Sequence, residues 1–255
     1  MQIGCSTWSL GPEMDPMDKL RCIQSAGIEL VEVWNRDFSL NGDPTEIKKH
    51  LADHGLTFYS FHTTVNLGPE DPDERRKAHD TLLKEIEFVA RCEGKILVVH
   101  AAVDNDYNKA AMDRAIPLAA QEGVLMCVEN GKLVSVDCLE SLIFHYSDDH
   151  LRFILDTGHL FFDKMDEGND ILSQVVHRTA PYLRHTHCQD MGRDGRDHEA
   201  VGKGLIDWNR FIADLVHVGY SGCLTIEVQR PDYHESTLHA RDTLVAAMKA
   251  VQEIR

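Results

Sequence analysis

The sequence predicts a closed (β/α)8 barrel, the TIM-barrel architecture, as a single α/β domain spanning residues 1–255. Three observations carry that expectation. Eight short, β-rich apolar runs alternate strictly with longer amphipathic stretches, the pattern of a parallel sheet covered by helices. Divided over eight units, 255 residues give about 32 each, the usual size of a βα repeat, and about 250 residues is typical of the closed barrel. The first turn after a strand, Ser9-Leu10-Gly11-Pro12, lacks the Gly-x-Gly-x-x-Gly of an open dinucleotide-binding sheet.

The strands are expected at 3–7, 30–34, 57–62, 96–100, 125–129, 152–156, 183–187 and 223–228. The first helix, 16–26, runs from Pro16 and stops at Gly27, and the second, 44–54, runs from Pro44 and stops at Gly55. In the third, 74–93, Leu82, Leu83, Ile86, Val89 and Ala90 recur at helical spacing, and Gly94 ends it. Helical patterns at 108–121, 137–146, 171–180, 209–218 and 236–254 complete the alternation. No linker, low-complexity run or long repeat interrupts the chain, so one domain is expected.

Composition narrows the function classes. Forty-two acidic and 26 basic side chains leave a formal charge of −16, which repels phosphate backbones and anionic lipid. No nucleic-acid or membrane partner is expected. Seven cysteines, an odd number without a Cys-x-x-Cys pair, argue against a secreted disulfide framework and for a cytoplasmic protein. The start, Met1-Gln2-Ile3-Gly4-Cys5, has no signal-peptide pattern, and no apolar run reaches the ~18 residues of a membrane span.

Six consecutive strands end in a residue that can bind a metal: His62, His100, Glu129, Asp156, His187 and Glu227, each about one βα unit from the next. In a barrel all strands point the same way, so these ends converge on the mouth where barrel active sites sit. Strand alternation agrees. Leu224, Ile226 and Val228 face the helices, while Glu227 shares the inner face with Cys223 and Thr225. Glu129 pairs similarly with Cys127, and His187 with His185. Buried ionisable groups cost several kcal/mol unless paired or metal-bound. One divalent ion held by Glu129, Asp156, His187 and Glu227 satisfies all four. One imidazole and three carboxylates suit Mn, Mg, Co or Fe, and Zn is also compatible.

The motifs Leu155-Asp156-Thr157-Gly158-His159, His185-Thr186-His187-Cys188-Gln189-Asp190, Val128-Glu129-Asn130 and Ile226-Glu227-Val228 resemble the xylose isomerase-like barrel superfamily. That group contains sugar isomerases and epimerases, inosose dehydratases and the metal-dependent apurinic endonucleases. His198 with Gly202-Lys203-Gly204-Leu205-Ile206-Asp207-Trp208 resembles the loop before the last helices of the same group. The likeness covers essentially the whole chain and separates its members poorly.

The resemblance implies that Glu129, Asp156, His187 and Glu227 are the metal ligands, and that Glu129 and Glu227 also move protons. It implies substrate contacts from His159 and Arg193. His62 and His100 match histidines that hold further zinc ions in the endonucleases; without those ions they are expected to face substrate. Trp8, Trp34 and Phe61 are candidate apolar walls, and Trp8 is the one assigned to substrate. Glu32 either binds substrate or pairs with a basic neighbour, and His185 is expected to be a buried, hydrogen-bonded histidine.

The expected function is a divalent-metal-dependent isomerase or epimerase of a small carbohydrate-like hydroxy-carbonyl compound, acting by proton transfer through a metal-stabilised enediolate. The alternatives are an apurinic endonuclease-like zinc phosphodiesterase and an inosose-type dehydratase or lyase. Against the endonuclease stand the −16 charge and Arg196, where the endonuclease pattern has an acid two positions before His198. Many relatives are dimers or tetramers, so a homo-oligomer is compatible with the resemblance. Loops 35–43, 63–75, 101–107 and 190–204 are expected to surround the mouth and set the substrate.

Overall fold

The computed structural model describes residues 1–38, 43–162 and 164–253; of the mouth loop 35–43, residues 39–42 lie outside the described residues. Eight parallel strands close into a barrel in chain order. They are β1 (Gln2–Ser6), β2 (Leu30–Trp34), β3 (Thr57–His62), β4 (Ile96–His100), β5 (Leu125–Glu129), β6 (Leu151–Asp156), β7 (Leu183–Cys188) and β8 (Cys223–Ile226). The barrel closes through β1 against β8, with Gly4 opposite Thr225. Glycine is required there: a Cβ on Gly4 would lie 2.7 Å from Cys223 Sγ.

The helices are α1 (Pro16–Ser25), α2 (Pro44–Asp53), α3 (Pro72–Arg91), α4 (Asn105–Glu122), α5 (Val136–Tyr146), α6 (Gly168–Thr179), α7 (Trp208–His217) and α8 (Tyr233–Glu253). Several start before the apolar periodicity begins, because an acid or serine caps them. Asp71 accepts hydrogen bonds from the N–H groups of Asp73 and Glu74, with Pro72 opening the helix, so α3 starts at 72 instead of 74. Asp104 does the same for α4, and Ser135 for α5. Two short 3-10 turns, Thr7–Leu10 and Gly158–Phe161, follow β1 and β6 and were not expected. Strand β8 also ends two residues early, at Ile226.

The main core lies between sheet and helices. Val31, Val33, Leu97, Val99, Val128, Phe153, Leu155, Leu224, Ile226 and Val228 all belong to it. Inside the barrel a smaller cluster of Ile96, Val98, Cys127 and Ile154 lies below the mouth. Burial of such side chains contributes about 1.5–3 kcal/mol each. The pairing of β2 with β3 shifts between Val31 and Glu32, which moves from Phe58 to Ser60. The slip places Phe58 and Phe61, three residues apart, in the same outer core. Phe61 therefore packs on Phe88 of α3, with ring centroids 5.3 Å apart, and is no substrate wall. Trp34 is also buried, with Arg36 and Lys19 against its ring. The seven cysteines are all free thiols. Among the described residues, no helix is long and apolar enough to cross a membrane.

Candidate metal and catalytic site

Four strand ends bring Glu129, Asp156, His187 and Glu227 together at the barrel mouth. All four are buried, and one ligand atom from each lies within 4.8 Å of the others. Glu129 and Asp156 end β5 and β6, and His187 is the penultimate residue of β7. Glu227 stands one residue past β8, yet its N–H still donates to Cys188 O at 3.1 Å, so the ladder continues to fix it.

His187 is the hub. Its Nδ1 lies 2.8 Å from Glu129 Oε1 and 3.0 Å from Glu227 Oε2, and its Nε2 lies 3.0 Å from Glu32 Oε1. Asp156 Oδ1 accepts from the backbone N–H of His159 at 2.8 Å and from Gln189 Nε2 at 2.9 Å. Asp156 Oδ2 is buried without a hydrogen bond. Glu129 Oε2 is likewise without a well-aligned hydrogen bond, although His100 Nε2 is 2.9 Å away.

Burial opposes ionisation of Glu129 and Glu227, but His187 beside them, aided by bonds from His100 or His62, holds both below the usual carboxylate range. Burial also opposes charging of His187, yet Glu227, Glu32 and Glu129 raise its pKa well above the ordinary histidine value. Burial pushes Asp156 up to about 6, with Glu129 adding to the rise and His159 opposing it. Three buried carboxylates around one imidazole form an excess of negative charge that favours a cation. The unpartnered Asp156 Oδ2 and the oxygen-rich donor set fit a hard or borderline divalent ion.

A ring of histidines surrounds this centre. Buried His62 lies 3.1 Å from Glu227 Oε1 through Nδ1 and 2.8 Å from His100 Nε2 through Nε2. Half-exposed His100 reaches from the mouth to Glu129. His159 Nδ1 lies 3.0 Å from Asn130 O, and a carbonyl can only accept, so that nitrogen carries a proton. Its Nε2 faces outward toward Asp197 Oδ2 at 3.9 Å. His198 lies tilted against Trp8, with ring centroids 4.7 Å apart, and edge-on to His159 at 5.3 Å. Trp8 thus reaches the mouth. Arg193 is exposed in the 192–196 turn and is not among the side chains gathered at the centre.

Buried Asp190 builds the loop that carries these groups. It accepts from the N–H groups of Met191, Gly202 and Ile206 and from Trp208 Nε1, at 2.9–3.0 Å. Gln189 joins loop to centre, donating to Asp156 and accepting from the backbone N–H of His198.

The sequence singled out Glu32 without its partners and did not single out Asp197. Glu32 was visible as an acid in an otherwise apolar strand, but its partners His185 and His187 are five strands away in the chain. Asp197 was masked by its neighbour. Although position 196 is arginine, Asp197 Oδ2 lies 3.4 Å from His198 Nδ1, so the histidine pair does have an acid beside it. That geometry removes the force of the Arg196 argument.

The family model described as the xylose isomerase-like TIM barrel matches residues 20–253. An uncharacterized protein of Methanocaldococcus jannaschii is 21% identical over 278 residues, covering 99% of this chain and 97% of the relative. Among solved structures, a D-tagatose 3-epimerase-like protein superposes with a TM-score of 0.83 at 16% identity, covering 100% of this chain and 99% of that one. L-ribulose 3-epimerase gives 0.82 at 17% identity, with 100% and 97% covered. The IolI protein with a bound zinc atom gives 0.80 at 16% identity, with 98% and 99% covered. At these identities the likeness establishes the fold.

Proposed function

The chain belongs to the xylose isomerase-like TIM barrel family, and on that premise we propose that it is a divalent-metal-dependent epimerase or isomerase of a small sugar-like hydroxy-carbonyl compound. The observation that carries this reading is the buried set Glu129, Asp156, His187 and Glu227, with Glu129 and Glu227 both against His187 Nδ1. The epimerase titles among structural neighbours and the zinc of IolI support it.

Glu129, Asp156, His187 and Glu227 would hold a divalent ion, which when bound would supply Lewis-acid polarisation of a substrate carbonyl and its neighbouring hydroxyl. Glu227 or Glu129 takes the proton from the adjacent carbon. The other returns it, to the opposite face in an epimerase or to the neighbouring carbon in an isomerase. Both carboxylates are held ionised at neutral pH, as a base must be. Against the opposition of burial, Asp156 and Glu129 raise the pKa of His159, and as the imidazolium it donates from Nε2 to the developing oxyanion while Nδ1–H stays bonded to Asn130 O. His62 and His100 border the same space and bind substrate hydroxyls. Trp8 on one side, and Phe162 stacked 5.6 Å from His159 on the other, offer aromatic faces to a sugar's C–H groups.

The purified protein should bind one equivalent of Mn²⁺, measured by elemental analysis after gel filtration, and Glu129→Gln, His187→Asn and Glu227→Gln should lose it. Wild-type protein that retains no divalent ion, or variants that keep it fully, would overturn the reading. Dehydration of a cyclic polyol ketone begins with the same proton removal; a product lighter by one water would assign that chemistry instead.

A multi-zinc phosphodiesterase is a second reading. Three further groups among the described residues could hold an ion and favour it: Glu32, His62, His187 and Glu227; His62, His100 and Glu129; and Asp156, His159 and His198. The −16 charge opposes it, because a polyanionic duplex would approach a strongly acidic protein. Three tightly bound zincs with cleavage of abasic duplex DNA would decide for it.

A further inference from the structure

Glu32 is a buried carboxylate to which the proposed reaction assigns no step. It sits on β2, on the far side of His187 from Glu129 and Glu227. Its Oε1 lies 3.0 Å from His187 Nε2, and its Oε2 accepts from Ser60 Oγ at 2.8 Å and lies 3.0 Å from His185 Nε2. The Glu32 side chain is fully buried, so no solvent competes for these contacts. Ser60 and His185 come from β3 and β7, and together they leave the carboxylate little freedom to turn.

We propose that Glu32 is a positioning residue that selects the metal-binding nitrogen of His187. Both ring nitrogens of His187 face carboxylates, which only accept; Glu129 and Glu227 beside Nδ1 would turn their oxygens to the ion, whereas Glu32, outside that set, would keep its hydrogen bond and hold the ring proton on Nε2. With the proton fixed on Nε2, the lone pair of neutral His187 is on Nδ1. That nitrogen is the one aimed at Glu129 and Glu227. The contact also raises the basicity of the imidazole as a ligand and fixes its plane. Ser60 and His185 form the next layer, holding the holder.

The proposal rests on the metal reading of the four-residue centre but makes its own claim, about one nitrogen and one residue outside that set. Zinc serves as the probe. In zinc-loaded wild-type protein, ¹⁵N spectra of the His187 ring should show Nδ1 coordinated and Nε2 protonated. Coordination through Nε2 would overturn the proposal on wild-type protein alone. Glu32→Gln can turn its amide N–H toward Nε2 and so favour the wrong tautomer. It should weaken zinc binding ten- to a hundredfold in competition with a chromophoric chelator. Apo-protein thermal melting serves as the control for folding. A Glu32→Gln protein that folds and binds zinc as tightly as wild type would also overturn it. Ser60→Ala, one layer further out, should weaken zinc binding less than Glu32→Gln, and an equal or larger loss would contradict the layering. Wild-type protein that binds no zinc would instead remove the metal reading itself, and this proposal with it.

Discussion

Glu85, on α3 behind the mouth, is a buried acid outside the metal centre. Asn35 Nδ2 donates to it at 3.2 Å, and its Oε2 has no hydrogen bond. Burial pushes its carboxyl from an ordinary value of 4.5 up to about 7, against the pull of Thr63 and Asn35. The folded state therefore binds this proton more tightly than the unfolded chain. The associated stability is fully present below about pH 4.5 and is lost as pH rises through about 7. Glu85→Gln should match wild type near pH 4 and exceed it by roughly 3 kcal/mol near pH 8, in urea melts. A pH-independent difference would contradict the assignment. His198 shows a different residue-scale feature. Its φ of 53° is left-handed, held by Gln189 on its N–H and by Gln229 N–H on its carbonyl. Strain of this kind collects at functional sites. Residue identities at strand ends were legible in the sequence because each ends a recognisable run. Glu32 was left there between binding substrate and pairing with a basic neighbour, and Asp197 was not assigned, because their roles depend on partners that only the closed barrel brings near.

At the scale of elements, the loop between β7 and α7 is the clearest case. One side chain, Asp190, accepts three backbone N–H groups and the Trp208 indole, and Gly204 packs against it so closely that a Cβ would meet Met191 O. Asp190→Asn replaces one acceptor oxygen with a donor facing N–H groups. It should cost at least about 3 kcal/mol by urea melting and change Trp208 emission. Zinc or manganese affinity should fall less than for a ligand variant, since Asp190 touches none of the four ligands. A stability within 0.5 kcal/mol of wild type, roughly the scatter of neutral surface changes, would show that the loop is built otherwise. The eight strands were placed nearly as expected because each is short, apolar and bounded by turn residues. The starts of α1 and α2 fall at Pro16 and Pro44 as expected, whereas α3 to α8 start one to three residues before the expected positions, because periodicity begins only at the first buried residue and caps such as Asp71, Asp104 and Ser135 precede it. The 3-10 turns escaped notice because four residues are too few to show a period.

At the scale of the whole molecule, the closed barrel explains why strand-end residues far apart in sequence share one site. Order around the barrel follows order in the chain, so the ends of β5 to β8 lie side by side. The −16 charge acts at this scale too, and predicts no detectable binding of abasic duplex DNA at 150 mM salt by gel shift, nor cleavage with zinc present. Cleavage would move the assignment to the phosphodiesterase reading. The proposed chemistry moves a proton on the carbon beside a carbonyl, using Glu129 and Glu227. Its most direct test is NMR detection of solvent deuterium incorporated into a panel of ketoses, aldoses and inososes, with manganese-loaded protein in D₂O. Incorporation is expected at the carbon adjacent to the carbonyl in at least one compound, abolished by chelation and by Glu129→Gln or Glu227→Gln. Incorporation that survives both variants, or none in any compound from manganese-loaded wild type, would contradict it.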